Sequence, residues 1–296
     1  MPSGFPGVKI KAYAGVQERE TAEAKYWKSY VTTSEDKIGN APNCIDFCPN
    51  LPGNYLVTGS TKVHLYTSSN DKVQRAFSRF SDEAYSGRFR KDGKLIVASS
   101  KDGYVKVFDT QSKAILRTMK RHTGAVRSVC WSADGLNVMS ASDDKSVKRW
   151  DLSTGEMTWN NNKEHTDYVR CVAPNPISSD IFVTGCYDHT VKVWDARQPT
   201  PVQTIAHNSP VETCMIAPSG AVLITGSGNE VRMWDLLGGC RPMHTFSSHQ
   251  KNITSLAMDS TGTRILSGAL DGHVKVYSMQ TLQVVHGMKY GSPVTR

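Results

Sequence analysis

Six stretches of this 296-residue chain are versions of one another, and that constrains its fold more than anything else in it. "DHTVKVWDAR" (188–197) aligns with "DGYVKVFDTQ" (102–111), "DKSVKRWDLS" (144–153), "GNEVRMWDLL" (228–237) and "DGHVKVYSMQ" (271–280). A weaker copy, "STKVHLYTSS", fills 60–69. The shared aromatic position falls at Tyr66, Phe108, Trp150, Trp194, Trp234 and Tyr277, at spacings of 42, 42, 44, 40 and 43 residues. A period of this length marks one supersecondary unit per repeat, each burying its apolar face only by stacking on its neighbours.

A second landmark keeps the same period. His122, His165, His207 and His249 each precede a short apolar run such as "AVRSVCW" or "YVRCVA", and Phe80 and Tyr290 take that place elsewhere. Between the landmarks lie alternating β-branched runs ("KLIVASS", "DIFVTGC", "AVLITGS"), separated by turn tripeptides such as "KDG", "ADG" and "PSG". Each unit therefore reads as four short strands, and no amphipathic helix is expected between Thr33 and Tyr290. A histidine–aspartate pair that recurs at the repeat period argues for a scaffold, since an enzyme needs one such site. G-x-S-x-G, Walker and HExxH motifs are lacking, so the chain reads as a non-enzyme with no cofactor, no metal and no small-molecule substrate.

These repeats resemble the WD40 family over about residues 40–290, which implies an all-β β-propeller. In that family a His, a Ser/Thr, an Asp and a Trp lock each blade. By resemblance the complete sets here are His122, Ser140, Asp144, Trp150 and His165, Thr184, Asp188, Trp194. The unit from His249 keeps Ser267 and Asp271 but ends in Tyr277. The unit from His207 has Thr225 and Trp234 with a turn one residue short and no Asp. The first unit lacks His, Asp and Trp. "SPVTR" (292–296) repeats the blade opening "SPVET" (209–213), so six repeats and an incomplete seventh blade are expected. The aromatic, β-branched "KYWKSYVTTS" (25–34) is expected to supply that blade's closing strand. The propeller would then span 25–296, after an N-terminal extension over 1–24, in what looks like a shortened form of a longer protein.

The remaining composition narrows the partners. No apolar run reaches the ~20 residues of a membrane helix, Met1–Tyr13 lacks a secretory apolar core, and seven scattered cysteines read as buried thiols of an intracellular protein. The net charge is +8, and residues 88–127 alone carry eleven Lys/Arg against Asp92, Asp102 and Asp109. Such a segment suits a polyanion through counterion release. Its densest clusters are Arg88, Arg90, Lys91, Lys94 and Arg117, Lys120, Arg121, which are the candidate contacts to an RNA backbone.

Within the family, "YWKSY", "FSRFSDEAYSGRFRKDGKLIVA" (77–98), "EHTDYVRCV" (164–172) and "VKVYSMQTLQVVH" (274–286) are similar to WD40 proteins of the nucleolar small-subunit processome. That resemblance implies a nucleolar scaffold for pre-18S ribosomal RNA processing and ribosomal DNA transcription. It also implies partners among other WD40 proteins and the 5′ external transcribed spacer. Residues flanking the inner-strand starts surround one mouth of a propeller channel, and by repeat alignment these include Tyr85, Lys101, Arg127, Tyr168, Arg170 and Tyr187. A rival reading rests on Arg197: "VWDAR" resembles the box by which some WD40 proteins dock onto cullin-4 ubiquitin ligases as substrate receptors.

Overall fold

The computed structural model describes residues 22–29, 42–51, 53–67 and 73–295. The chain divides into two units, Met1–Thr33 and Ser34–Arg296. In the first, α1 (Ala22–Lys28) is a short helix with Glu23 in its first turn and Lys25 and Lys28 in its last. This corrects the expectation of a closing strand at 25–34: Lys25–Lys28 are helical, and Tyr30–Ser34 lie outside the described residues. The alanines of "AEAK" favour helix, and charges matched to the helix dipole outweigh the β preference of Tyr26 and Trp27. No described helix is long and apolar enough to cross a membrane.

The second unit is six four-stranded antiparallel meanders in chain order. The first comprises β1 (Cys44–Phe47), β2 (Tyr55–Gly59), β3 (Lys62–Tyr66) and β4 (Val73–Phe77). The second has β5 (Ala84–Phe89), β6 (Leu95–Ser100), β7 (Tyr104–Asp109) and β8 (Ile115–Lys120). The third has β9 (Val126–Trp131), β10 (Asn137–Ser142), β11 (Val147–Asp151) and β12 (Met157–Asn161). The fourth has β13 (Val169–Pro174), β14 (Ile181–Cys186), β15 (Thr190–Asp195) and β16 (Gln203–Ala206). The fifth has β17 (Val211–Ile216), β18 (Val222–Ser227), β19 (Glu230–Asp235) and β20 (Arg241–Phe246). The sixth has β21 (Ile253–Met258), β22 (Arg264–Ala269), β23 (His273–Ser278) and β24 (Val284–Lys289). The inner strands β1, β5, β9, β13, β17 and β21 pack in succession, so the sheets stand as the blades of a β-propeller.

Strand alternation gives each blade two apolar faces, one for each neighbour. Leu95, Val97, Val105 and Val107 of the second blade meet Val138 and Trp150 of the third. On its other face the third blade sends Met139, Ala141 and Val147 against Phe182 and Trp194 of the fourth. Close approach requires glycine at one repeated place. A Cβ on Gly185 would lie 2.6 Å from Val211 Cγ1, and one on Gly226 would lie 3.0 Å from Ile253 Cγ2. Val294 seats on Gly268 in the same way, at 2.7 Å, and Thr254 Oγ1 donates to its carbonyl at 2.7 Å. The segment around Val294 thus sits where the inner strand of a further blade starts. The first blade leaves Ile45 and Phe47 exposed, whereas their register counterparts in the third, Val129 and Trp131, are buried. None of the seven cysteines forms a disulfide, and six are buried.

The blade locks differ in completeness. His122 Nδ1 lies 2.9 Å from Asp144 and Nε2 lies 2.8 Å from Ser140 Oγ, which also accepts Trp150 Nε1–H at 2.8 Å. His165, Asp188, Thr184 and Trp194 repeat this at 2.9, 2.8 and 2.8 Å. In the sixth blade His249 meets Asp271 at 3.0 Å and Ser267 at 2.6 Å, and the Tyr277 hydroxyl replaces the indole at 3.1 Å. The second blade has gone apolar, with Phe80 edge-on to Phe108 at 5.8 Å. In the fifth, Trp234 reaches Thr225 at 3.0 Å, but both nitrogens of buried His207 lack a partner. The short turn removes the carboxylate, and only the ring contact with Trp234 at 5.3 Å remains.

Two outcomes follow from this packing. Gly185→Ala should cost about 1–3 kcal/mol by overpacking, seen as a lowered melting temperature, while Gly287→Ala, which has nothing within 4 Å, should be neutral. Burial, then the Arg232 charge, holds His207 down to about 4. An unfolded histidine binds a proton near 6.5 that the fold refuses, so stability is full above that pH and falls as pH drops from 6.5 toward 4. The loss is up to about 3 kcal/mol at one pKa unit per 1.36 kcal/mol. His207→Phe should flatten the pH slope of urea unfolding between about pH 4.5 and 6.5; an unaltered slope would place the acid sensitivity elsewhere.

Candidate binding face at the channel mouth

Five of the inner strands open on the same irregularity. The pairing register of β5, β9, β13, β17 and β21 slips after the first residue, leaving Tyr85, Arg127, Arg170, Glu212 and Thr254 as the extra, unpaired residue. Such a bulge re-aims a side chain at a sheet edge. Here Tyr85, Arg127, Arg170 and Glu212 converge with Pro42, Asn43 and Thr295 around an open cavity of about 160 Å³ at one mouth of the channel.

The mouth is a linked ionic chain. The Arg127 guanidinium lies 4.2 Å over the Tyr85 ring, and its Nε–H donates to Asp143 Oδ2 at 2.7 Å. The other Asp143 oxygen is 3.5 Å from Arg170 Nη1. Arg170 lies 4.4 Å over the Tyr187 ring and donates from Nη2 to its hydroxyl at 2.9 Å, and that hydroxyl donates to Glu212. Burial opposes the Arg170 charge, but Tyr187, Glu212 and Asp143 outweigh it, so its pKa is raised. Burial, then Glu212, also raises Tyr187. Tyr168 stands 46% exposed at 6.5 Å from the Tyr187 ring, and exposed Lys101 pairs with Asp82 at 3.8 Å. Two arginines alternate with two acids, so the mouth is close to neutral and positioned in advance. It offers tyrosine faces and forked donors, the side chains enriched in protein interfaces.

The basic clusters do not come together. A six-residue strand rising about 3.3 Å per residue separates the ends of the second blade, and the chain runs down β5 and returns to the mouth end along β8. At the far end, Arg90 clasps Asp92 within its turn and lies 6.0 Å over Trp131. Lys91 reaches the Pro176 carbonyl at 3.5 Å, and Lys94 is exposed. Near the same end, Arg88 holds Asp46 of the first blade at 2.8 Å, whose second oxygen takes the Phe89 N–H. Arg117 donates to the carbonyls of Leu152 and Ser153 and so ties the second blade to the third. Lys120 and Arg121 are exposed at the mouth end.

Reasoning from sequence missed two features. Asp143 and Glu212, which complete the mouth, carry no motif, and the bulges that aim their partners depend on pairing register. The lysines of the repeated "VK" carry no assignment from sequence either, although their recurrence at blade period is the available signal of a structural role. Lys148 donates to Ser146 and Asn160 at 2.9 and 3.1 Å, Lys192 lies 3.7 Å from Glu164, and Lys106 and Lys275 donate to the Arg79 and Ser248 carbonyls. His165, Cys186 and Asp188 place ligand-type atoms within 4.8 Å of one another. The histidine is already committed to Asp188 and Thr184. Burial pushes the Cys186 thiol up to about 12, so it stays protonated and donates to the Asp167 carbonyl at 3.2 Å. The cluster is a blade lock. Arg197 is 70% exposed but bound to Asp195 in its own turn at 2.7 Å.

The family model for the WD domain, G-beta repeat, matches residues 79–109, 113–151, 159–195, 199–235 and 240–278. The chain is a WD40-repeat protein. Its first blade, which lacks the signature residues, lies outside those matches. The WD40 chain is 41% identical over 293 residues to the U3 small nucleolar RNA-associated protein 15 homolog of Xenopus tropicalis, covering 99% of this chain and 56% of the relative. It is 40% identical to the Homo sapiens homolog (99% and 56%) and 39% identical to the Schizosaccharomyces pombe protein (95% and 57%). It thus spans little more than half the length of these relatives.

The ionic chain of this WD40 mouth makes an additive-or-coupled test possible. Tyr187→Phe removes the donor and Glu212→Ala the acceptor of the same hydrogen bond. Each should cost about 1 kcal/mol in urea unfolding, and the double variant should fall short of their sum by about 0.5–1.5 kcal/mol.

Proposed function

We propose that this chain is the propeller of a non-catalytic scaffold acting in the nucleolus in small-subunit ribosome assembly. It joins the U3 small nucleolar RNA-associated machinery and supports processing of the 18S precursor and transcription of ribosomal DNA. The observation that carries this reading is identity near 40% sustained over almost the whole chain, in frog, human and fission-yeast proteins that bear that name. The channel mouth supports a protein-binding part of the role, because tyrosines and compensated arginines desolvate at low cost against another propeller. Exposed lysines and arginines outside the mouth support contact with the precursor's 5′ external transcribed spacer.

The test is recovery of U3 small nucleolar RNA with the tagged chain from nucleolar extract. The wild type should concentrate in nucleoli and enrich that RNA. Tyr85→Ala/Tyr168→Ala, which removes two mouth rings outside the ionic chain's hydrogen bonds, should lower the yield several-fold at unchanged melting temperature. A wild-type chain that neither reaches nucleoli nor recovers U3 RNA overturns the reading.

A further inference from the structure

The acids at the mouth end of the second and third blades are occupied: Asp102 accepts from Ser81 at 3.0 Å and from Ser100, Asp143 holds Arg127 at 2.7 Å, Asp144 holds His122 at 2.9 Å, and Asp82 pairs with Lys101 at 3.8 Å. The cations face outward. Lys106 and Lys120 lie 5.2 and 4.5 Å over the Tyr104 ring, and Lys106 also ties down the Arg79 carbonyl. Arg121 follows Lys120 in the chain. A Cβ on Gly103 would lie 2.8 Å from the His122 carbonyl, and one on Gly124 would lie 2.8 Å from the Asp144 N–H, so the turns bearing Tyr104, Arg121 and Lys145 abut in a row. Arg79, Lys120, Arg121 and Lys145 are exposed, and none of the four is ion-paired among the described residues. Tyr104 first, and Asp102 after it, raise the Lys120 pKa, so its ammonium stays charged; the Asp102 carboxylate is itself engaged by the two serines.

We infer that this rim, formed by Arg79, Tyr104, Lys120, Arg121 and Lys145, is a docking track for the phosphate backbone of RNA. The inference deepens the proposed function and rests on it. Repeat geometry does not demand the rim, because Ala206 at the end of the fourth blade and Asn229 of the fifth, both neutral, take the places of Arg121 and Lys145. The occupant is a phosphate polymer rather than an acidic protein for a physical reason. A protein interface is anchored by apolar or aromatic side chains in a dry centre. Here the one ring on the rim already underlies two ammonium groups, and the remaining groups are long, solvated point charges that release counterions when phosphates replace them. Arg88, Arg90 and Arg117, held by carboxylates or carbonyls, have less to offer, and Lys91 and Lys94 lie at the opposite end of the blade.

Fluorescence anisotropy of the purified chain with a labelled 20-nucleotide single-stranded RNA, titrated from 50 to 300 mM KCl, tests this. Lys120→Gln/Arg121→Gln/Lys145→Asn suits the purpose: two positions are solvated, and asparagine tolerates the left-handed backbone of Lys145 (φ 65°). Affinity should fall about tenfold or more at 150 mM, and the slope of log affinity against log salt should lessen by about 2, from three lost phosphate contacts. Lys91→Gln/Lys94→Gln should change neither, and a poly-glutamate competitor should displace RNA poorly. Loss confined to the Lys91/Lys94 variant overturns the rim but keeps an RNA role. Equal binding of poly-glutamate overturns the phosphate assignment, and a wild type without RNA affinity overturns both the rim and direct RNA contact.

Discussion

The structure depends on a buried imidazole that joins a loop to a sheet. In the third and fourth blades a histidine at the end of the interblade loop spans an aspartate in the next turn and a hydroxyl in the middle of the sheet, and that hydroxyl takes the indole N–H. The histidines and hydroxyls are buried, the aspartates partly so, and each is satisfied, which such a network needs if it is to stabilise rather than weaken a core. Burial lowers the pKa of His122 despite the neighbouring Asp144, in keeping with a neutral ring that donates on one side and accepts on the other. By fixing the turn against the loop, the lock also holds the start of the adjoining inner strand, although β5 and β17 carry the same bulge without it.

The departures from that lock show two different ways of dispensing with it. The second blade replaces the polar set with Phe80, Ala98 and Phe108, buried together, and leaves no orphaned polar atom at the histidine's place. The fifth blade keeps the histidine, the hydroxyl and the indole but loses the carboxylate with one turn residue, so His207 is buried with neither nitrogen partnered. An apolar substitution removes donor and acceptor together. A deletion removes one partner and strands the other, the costlier case when the group is buried.

The positive charge is divided by what surrounds it. Lys106 and Lys275 of the third strands hold interblade loops, arginines at the mouth are matched by acids, and Arg88 and Arg117 tie neighbouring blades together. A net charge of +8 and a dense basic segment are properties of the sequence, but availability to a partner depends on distances. The eleven cations of 88–127 look like one patch in the sequence and in space lie on both ends of a blade, in its outer edge and in its channel.

Much of the architecture was legible in one dimension because the repeat is locally encoded. Strand alternation, turn tripeptides and the aromatic period each act over a few residues, and the blade boundaries and the all-β class follow from them, while the lock residues His122, Asp144, His165 and Asp188 follow from the resemblance to the WD40 family that the repeats carry. Tyr85, Arg127 and Arg170 could be assigned to the mouth because they recur at the same place in each unit. Tertiary structure alone decided what reaches across units. Asp143 and Glu212 join the mouth through pairing register, Lys25–Lys28 coil where aromatic content favoured a strand, and the basic clusters part company at opposite ends of β5. The physical reason is the range of the interactions: backbone periodicity is set by neighbours in sequence, whereas a carboxylate's partner is whichever cation the packed blades bring within about 4 Å.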